Sequence, residues 1–393
     1  MRKKVLVAVV VALFAAPVFA ELTIYGTADF GFEYIDLGLD PSGARVRVGR
    51  FTSGVLDPSV LGIKGEKDID PDSKIGFQFE TGFTFERGLF LDSGSNIDQL
   101  RIIPGATFGT LWNRMARIYL KTKFGEVSLG RQYSPISYVK CNLDPTCGGL
   151  GFSPDTYSEG TDRLDNSVKL TTNSIRGLVA QVSYSTGDQN MTNDDITVPE
   201  VPVNGSVAYG GSVQYTSGPV YFGAAYSSVN DSYTDYPRPG VPPAFKRPSN
   251  LVSYILGFSY SFPKVKPFVS FRRQTRYTYP TGSFYVPVSK NNVLSIGASM
   301  SSGRGTFVTN FSILTNKLGS QSSSPAPDKS NSRLFGLAYL YELRKDVVLY
   351  VSASKIMNGK LAHYSIGNAS LPAPIVPLGN NPEEFVVGVR YNF

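Results

Sequence analysis

The chain has 393 residues with 38 Lys and Arg against 31 Asp and Glu, and its formal net charge at pH 7 is +7. This excess is too mild and too evenly spread for the concentrated basic surface of a nucleic-acid-binding protein. After residue 20 no apolar run approaches the ~18 residues of a membrane-spanning helix, so that class is excluded as well.

The first twenty residues predict a secretory signal peptide. Arg2, Lys3 and Lys4 form a basic N-terminal region, and an apolar run follows it. Val18-Phe19-Ala20 then ends in a small residue, as a cleavage site does. A membrane anchor is the alternative, but the apolar run is shorter than the ~20 residues that a spanning helix needs. We therefore expect residues 1–20 to be removed and residues 21–393 to form one exported domain.

Alternation of apolar and polar residues dominates the chain from Glu21 onward. In the first segment, Leu22, Ile24 and Phe32 fall on one face, whereas Asp29 and Glu33 fall on the other. A soluble sandwich or propeller also alternates. A transmembrane β-barrel alternates because lipid surrounds it and its lumen is wet.

Loop lengths favour the barrel, because eight long polar loops alternate with seven short turns. This pattern predicts sixteen antiparallel strands with both termini on the short-turn side. The long loops are expected at Leu37–Ser53, Arg87–Trp112, Tyr138–Arg163, Asp188–Asn204, Asp231–Ser249, Pro280–Asn291, Leu318–Asn331 and Lys360–Asn381. Segment 44–50 is expected either to extend the second strand or to form a small hairpin in the first loop.

The third long loop is the most informative segment. A structureless loop of about thirty residues within a compact domain is usually functional. We interpret residues 134–163 as a constriction loop that folds into the barrel and narrows its pore. Cys141 and Cys147 both lie in it, and two cysteines so close in an exported protein predict a disulfide, with two free thiols as the alternative.

The chain ends in an alternating segment that finishes on Phe393. The terminal strands of a barrel in lipid must pair with each other, because an open edge would leave backbone groups without hydrogen bonds. We therefore expect an all-β protein, a 16-stranded antiparallel transmembrane barrel in the outer membrane of a Gram-negative bacterium.

These residues resemble the Gram-negative general porin family over most of the mature chain. The resemblance rests on the order and spacing of LTIYGTADFGFEY, LGIKGEKDI with KIGFQFETGF, WNRMARIYL with FGEVSLGRQYSP, DRLDNSVKL and GVRYNF. It implies a homotrimer of sixteen-stranded barrels whose third outer loop folds inward at mid-height. In such porins, acids on that loop face a cluster of arginines on the opposite wall.

The resemblance carries the wall arginines over to Arg114, Arg131 and Arg163. A further family arginine would precede the small residue of the second strand, but this chain has Val60 there. Arg45, Arg47 or Arg50 could replace it, and we include Arg50. For the fourth strand, simple alternation places Arg117 rather than Arg114 in the lumen, unless a bulge or the strand end intervenes.

Alternation along the eleventh strand adds Arg272 and Arg276 to the wall. On the loop, DPTCGG resembles the tip of the family loop, although Thr146 stands where the family often has an acid. The nearest carboxylates are Asp144, Asp155 and Glu159, which we take as the acidic side. Few acids against many basic residues predict a weak preference for anions.

We therefore expect a water-filled channel for passive diffusion of small hydrophilic solutes and ions, with outer-membrane lipid and lipopolysaccharide around it. We expect no catalysis, cofactor, metal or nucleic-acid partner; the sole histidine, His363, lacks a plausible nucleophile and acid nearby. A substrate-selective channel for phosphate, an organic anion or a sugar is the main alternative. A barrel enzyme and a soluble adhesin are the others.

Overall fold

The structure is a computed structural model that describes residues 21–40, 42–86, 88, 111–158, 162–186, 207–234, 246–278, 286–317, 330–366 and 376–393. The predicted signal peptide lies outside the described residues. Within these ranges, no helix is long and apolar enough to cross a membrane.

Antiparallel strands account for most of the described residues. They are β1 (Glu21–Leu39), β2 (Arg45–Ser53), β3 (Val60–Asp70), β4 (Ser73–Gly82), β5 (Met115–Thr122), β6 (Gly125–Tyr133), β7 (Arg163–Thr172), β8 (Leu178–Ser185), β9 (Ala208–Ser217), β10 (Val220–Thr234), β11 (Lys246–Tyr260), β12 (Val265–Thr278), β13 (Val286–Ser302), β14 (Gly305–Asn316), β15 (Ser332–Arg344), β16 (Val347–Asn358) and β17 (Glu383–Asn392). A helix α1 (Pro135–Asn142) and a 3₁₀ helix (Pro154–Tyr157) lie between β6 and β7.

The strands close into a barrel through β1. One edge of β1 pairs with β17, and the other edge pairs with β3 over its first half and with β2 over its second half. Because β2 and β3 occupy one position in the sheet, the seventeen described segments form sixteen barrel strands. The predicted strand number, antiparallel order and pairing of the two termini are confirmed.

The second barrel strand is broken at residues 54–59. The carboxylate of Asp29 accepts hydrogen bonds from the backbone N–H groups of Val55 at 2.9 Å and Asp57 at 3.2 Å, and from the Tyr350 hydroxyl at 2.8 Å. These bonds satisfy donors that have left the ladder, which a buried backbone requires. Segment 44–50 therefore extends the second strand, as the first of the two predictions stated.

The two faces of the sheet have the chemistry that the sequence predicts. Leu22 and Ile24 are 45% and 59% exposed, whereas Asp29 and Glu33 are fully buried. Exposed leucine, isoleucine, valine and phenylalanine cover the outer face of other strands too, and serine, asparagine and charged residues cover the inner face. The barrel is thus apolar outside and polar inside, as a lipid environment requires.

Several predicted long loops are too long, because the strands continue past the alternating segments. Strand β10 runs to Thr234 and pairs there with Lys246, so the loop predicted at Asp231–Ser249 covers only residues 235–245. Likewise, β13 begins at Val286 within the loop predicted at Pro280–Asn291, and β2 lies within Leu37–Ser53. The added end of β10 is rich in polar residues, so alternation gives no signal there. Strand β2, in contrast, alternates valine with arginine and contains residues 45–50 of the segment predicted to extend the second strand or to form a hairpin.

Candidate functional site

Helix α1 opens the segment between β6 and β7. Pro135 occupies its first turn, where the missing N–H costs no hydrogen bond. Its apolar side chains Ile136 and Val139, with Leu143 just beyond, pack against Ala225 and Ile255 from the buried face of β10 and β11. The helix therefore lies on the same face of the sheet as the polar inner residues.

A disulfide between Cys141 and Cys147 ties the end of α1 to the turn that follows it. The predicted pairing is confirmed, and the structure excludes the alternative of two free thiols. Cys147 has a φ of 51°, in the left-handed region that non-glycine residues seldom adopt. The bridge thus joins two parts of a tight, locally organised turn.

Asp144 lies inside this turn, where its carboxylate accepts hydrogen bonds from loop donors. Oδ1 accepts from the backbone N–H of Thr146 at 2.8 Å, and Oδ2 accepts from the N–H of Gly148 at 2.8 Å and from Ser153 Oγ at 2.5 Å. Burial raises the pKa of Asp144 above its ordinary value. These contacts give the residue a role in loop folding, and its place among the pore acids stays a prediction.

The segment next reaches the break in the second barrel strand. The N–H of Leu150 donates to the carbonyl of Val55 at 2.9 Å. Gly149 lies so close to Leu56 that a Cβ atom would overlap its carbonyl oxygen. Leu150 is fully buried in an apolar cluster with both residues of the break.

The return limb packs along the opposite wall. Phe152 is fully buried against Gly336, and its carbonyl accepts a hydrogen bond from Asn310 Nδ2 at 2.9 Å. The hydroxyl groups of Tyr157 and Ser332 lie 2.8 Å apart. Residues 135–158 thus contact the buried face of strands from β10 to β17 and the break at residues 54–59.

Arg114 and Arg163 converge on one tyrosine. Nη2 of each donates to the hydroxyl of Tyr133 at 2.6 Å, and the Arg163 guanidinium lies 4.4 Å from the centre of the ring. Nε of Arg114 also donates to Glu80 Oε1 at 2.7 Å. The structure therefore brings two predicted wall arginines together, each less than a tenth exposed.

The end of a strand resolves the choice between Arg114 and Arg117. Arg114 precedes the first residue of β5, so alternation within that strand does not apply to it. Arg117 shares the inner face of β5 with Tyr119 and donates to Glu126 at 2.6 Å. Both arginines therefore lie on the inner side of the wall.

Arg131 and Arg50 lie in separate ion pairs. Arg131 pairs with Asp165, and its Nε donates to the carbonyl of Asn113 at 2.6 Å. Arg50 Nε lies 2.5 Å from Glu33, and the Arg50 side chain is 31% exposed. Their predicted place in a constriction stays a prediction.

Arg272 contacts the return limb rather than open space. Nη1 donates to Asp155 at 3.0 Å and to Ser158, and Nη2 donates to the carbonyl of Pro154 at 2.5 Å. Arg276, on the same face of β12, donates to Ser249 Oγ at 2.9 Å. One predicted wall arginine, Arg272, therefore forms an ion pair with one predicted loop acid, Asp155.

Lys140 completes this network from helix α1. Its Nζ lies 2.8 Å from Asp155 and 2.5 Å from Asp162. Burial alone raises the pKa of Asp155, but the charges of Lys140 and Arg272 outweigh it and hold that pKa well below its ordinary value. The third predicted acid, Glu159, lies outside the described residues.

Sequence reasoning missed Lys140, Lys169, Glu80 and Tyr133 as parts of this site. Lys169, on β7, is almost fully buried and donates to the carbonyl of Tyr133 at 3.0 Å and to the hydroxyl of Tyr138 at 3.1 Å. Alternation placed Glu80 on the inner face, and that parity was the available signal. For Lys140 the sequence gave no signal, because its role depends on where α1 lies.

Comparisons with known proteins agree with this architecture. The sequence profile of the Gram-negative porins matches residues 7–361. Outer membrane porin protein 32 of Delftia acidovorans is 25% identical over the full length of both chains.

Solved structures of similar fold include an anion-selective porin from Comamonas acidovorans, with a TM-score of 0.69 at 21% identity over 95% of this chain and 100% of that one. The trimer form of the in-vitro folded outer membrane protein OmpT of Vibrio cholerae has a TM-score of 0.67 at 13% identity over 95% and 99% of the two chains. Because the family profile spans most of the sequence, this chain belongs to the Gram-negative porin family.

Proposed function

We propose that this outer-membrane porin passes small hydrophilic solutes and ions by passive diffusion, with a weak preference for anions. In this proposal residues 134–163 form a constriction loop inside the barrel. The arginine pair Arg114 and Arg163 then forms the basic side of the narrow zone, and the channel does no catalysis.

The observation that carries the proposal is the convergence of two guanidinium groups on the hydroxyl of Tyr133. Guanidinium stays charged at every physiological pH. Arg114 also pairs with Glu80, so two guanidinium groups stand beside this one carboxylate on the inner wall. The excess positive charge creates a positive potential, which raises the local concentration of anions. The network of Lys140, Asp155, Asp162 and Arg272, in contrast, balances two cations with two acids.

Support for the constriction loop comes from the contacts of residues 135–158. In the described part of the chain, these residues contact the buried face of the strands, which also carries the polar side chains, and the break at residues 54–59. Two charged side chains, Lys140 and Arg272, and one disulfide hold the segment in place. One solved structure of similar fold bears the name of an anion-selective porin, which agrees with the proposed sign of selectivity.

We further propose that the functional unit is a homotrimer, as in the trimer form of the similar Vibrio cholerae protein. Its outer face would contact outer-membrane lipid and lipopolysaccharide.

The test is the reversal potential of single channels across a salt gradient in a planar bilayer. We expect three-step openings, a modestly anion-selective reversal potential, and a shift towards cations in Arg163→Gln. The matched control is Arg333→Gln, because Arg333 is exposed on the outer face of β15. Cation selectivity of the wild type, or equal shifts in both variants, would overturn the assignment of Arg163.

A further inference from the structure

Four of the short turns share a two-part pattern at one rim of the barrel. Each turn carries a large apolar side chain that is between 46% and 79% exposed. Each also carries a lysine or arginine that is exposed and lies within two residues of the apolar one. The pairs are Phe124 with Lys123, Ile175 with Arg176, Phe262 with Lys264, and Leu343 with Lys345.

The apolar member of the pair continues the lipid-facing row of the adjoining strand in three of these turns. Phe262, just beyond β11, has the same parity as Leu256 and Phe258 in that strand, and all three are exposed. Phe124 continues the row of Ile118 and Leu120 from β5 in the same way. The lipid-facing surface therefore extends to the turns themselves.

The four cations lie just beyond this surface. Within the described parts of the chain, Lys123, Arg176, Lys264 and Lys345 make no ion pair; Lys123 Nζ lies 5.3 Å from the ring centre of Phe124. Arg344 differs from its neighbour Lys345, because its Nε contacts Asp346 at 3.1 Å. Four exposed positive charges thus stand at the edge of an apolar band without a carboxylate to neutralise them.

We propose that these four turns bind the anionic headgroups of phospholipids in the periplasmic leaflet. Short turns of outer-membrane barrels face the periplasm. An exposed apolar side chain reaches the boundary of the acyl chains, and the adjacent cation then lies at the level of the lipid phosphates. Basic residues near an anionic membrane surface attract it, and salt weakens the attraction.

Phosphatidylglycerol fits these turns better than a zwitterionic lipid, because its headgroup carries a net negative charge and offers phosphate oxygens as acceptors. The turn at Gly218 carries no cation. In the first turn, the exposed Ile69 and Lys67 lie among Asp68, Asp70 and Asp72, whose negative charges offset that of the lysine. The turn at Gly303 carries Arg304 but no exposed large apolar side chain within two residues of it. Binding is therefore confined to arcs of the rim rather than spread evenly around it. This inference goes beyond the proposed function, since it concerns the outer surface of the barrel and not the solute that crosses it.

The test measures the association of spin-labelled phosphatidylglycerol and phosphatidylcholine with the folded protein in phosphatidylcholine vesicles. We expect the wild type to bind labelled phosphatidylglycerol about fivefold more tightly than phosphatidylcholine at low salt, and less so at high salt. The test variant combines Lys123→Gln, Arg176→Gln, Lys264→Gln and Lys345→Gln, and should lose this preference.

The control variant removes four exposed charges from the opposite end of the barrel, with Lys317→Gln, Arg333→Gln, Lys355→Gln and Lys360→Gln. It should keep the preference for phosphatidylglycerol. An equal loss of the preference in both variants would overturn the proposal, because the net charge of the protein alone would then explain it. An unchanged preference in the test variant would also overturn the proposal. A wild type without any preference would overturn it as well, and this last result needs no variant to fold.

Discussion

Charged side chains inside the barrel fall into two groups. Those of one group take part in ion pairs with the loop, and those of the other contact side chains of the barrel wall. Arg272 and Lys140 are held by Asp155, whereas Arg114 and Arg163 meet at Tyr133. Arginine therefore contacts the loop in one place and a wall tyrosine in another. Alternation predicts that Arg272 faces inward, but it does not identify Lys140 or the residue that each of these side chains contacts.

Replacing Glu80 by glutamine should strengthen anion selectivity. Glu80 Oε1 accepts a hydrogen bond from Arg114. The substitution removes the negative charge of Glu80, so less of the positive charge of Arg114 is neutralised. One charge about 6 Å from a passing ion in water is worth roughly 0.7 kcal/mol, with opposite sign for an anion and a cation, so the anion-to-cation permeability ratio should rise about tenfold. The reversal potential across a salt gradient measures it. Glu383→Gln, on the exposed outer face of β17, is the control and should give no shift.

At the scale of the element, residues 135–158 fold as a compact unit with their own stabilising contacts. The apolar side chains on one side of the unit are buried against the barrel wall. The disulfide closes its turn, and the Asp144 carboxylate accepts hydrogen bonds from the backbone within that turn. Ordering a long loop costs conformational entropy, which these contacts offset. A constriction requires such stiffness, because a mobile loop would not hold a fixed opening.

Replacing both cysteines by serine should loosen the turn at residues 141–153. Closing so short a loop is worth about 2 kcal/mol in the chain-entropy estimate, so amide hydrogen exchange there should become roughly thirtyfold faster. Reduction of the wild type by a small thiol should give the same result. Unchanged exchange in both cases would show that the other contacts alone hold the turn.

Acid should weaken the contact between the loop and β12. Because the pKa of Asp155 in the folded state lies below that in the unfolded state, its ion pairs add stability above about pH 4, and this stability is lost as the pH falls further. Open-channel current noise should therefore rise below about pH 4. In Asp155→Asn the noise should already be high at pH 7 and depend less on pH. A wild-type trace that is equally quiet at pH 7 and pH 3 would contradict this prediction.

At the scale of the whole molecule, closure of the barrel depends on its two ends. Backbone hydrogen bonds of 2.9 and 3.0 Å join Gly26 and Phe393 in both directions. The Phe393 ring lies over Gly26, and a Cβ atom there would overlap the ring and lie 2.7 Å from the carbonyl of Val60. The glycine thus makes room for the terminal aromatic residue.

Gly26→Ala should reduce the yield of closed barrel. Accommodating the methyl group against a ring and a backbone carbonyl costs about 1–3 kcal/mol. The fraction of protein that migrates as the folded form in an unheated electrophoresis sample measures the effect. Gly49→Ala is the control, because a Cβ atom at Gly49 meets its nearest neighbour at 3.4 Å and has room. Equal yields of both variants would contradict the proposed importance of this contact.

The amino-acid sequence by itself determined the barrel. Lipid outside and water inside impose an alternation that survives in nearly every strand, and the lengths of the connections set the strand number. Leu22 and Asp29 illustrate this, because each lies on the face that alternation predicts. The Cys141–Cys147 bridge was likewise predictable from the short spacing of the two residues.

Only the tertiary structure decided the contacts among charged residues. Arg163 and Arg114 come from different strands, and Lys140 meets Asp155 because α1 lies on β10 and β11. Such contacts depend on the path of the loop across the barrel, which no local pattern encodes. Ion pairing is also a property of two partners, so the sequence predicted which side chains face inward but not which of their charges remain available to a passing ion.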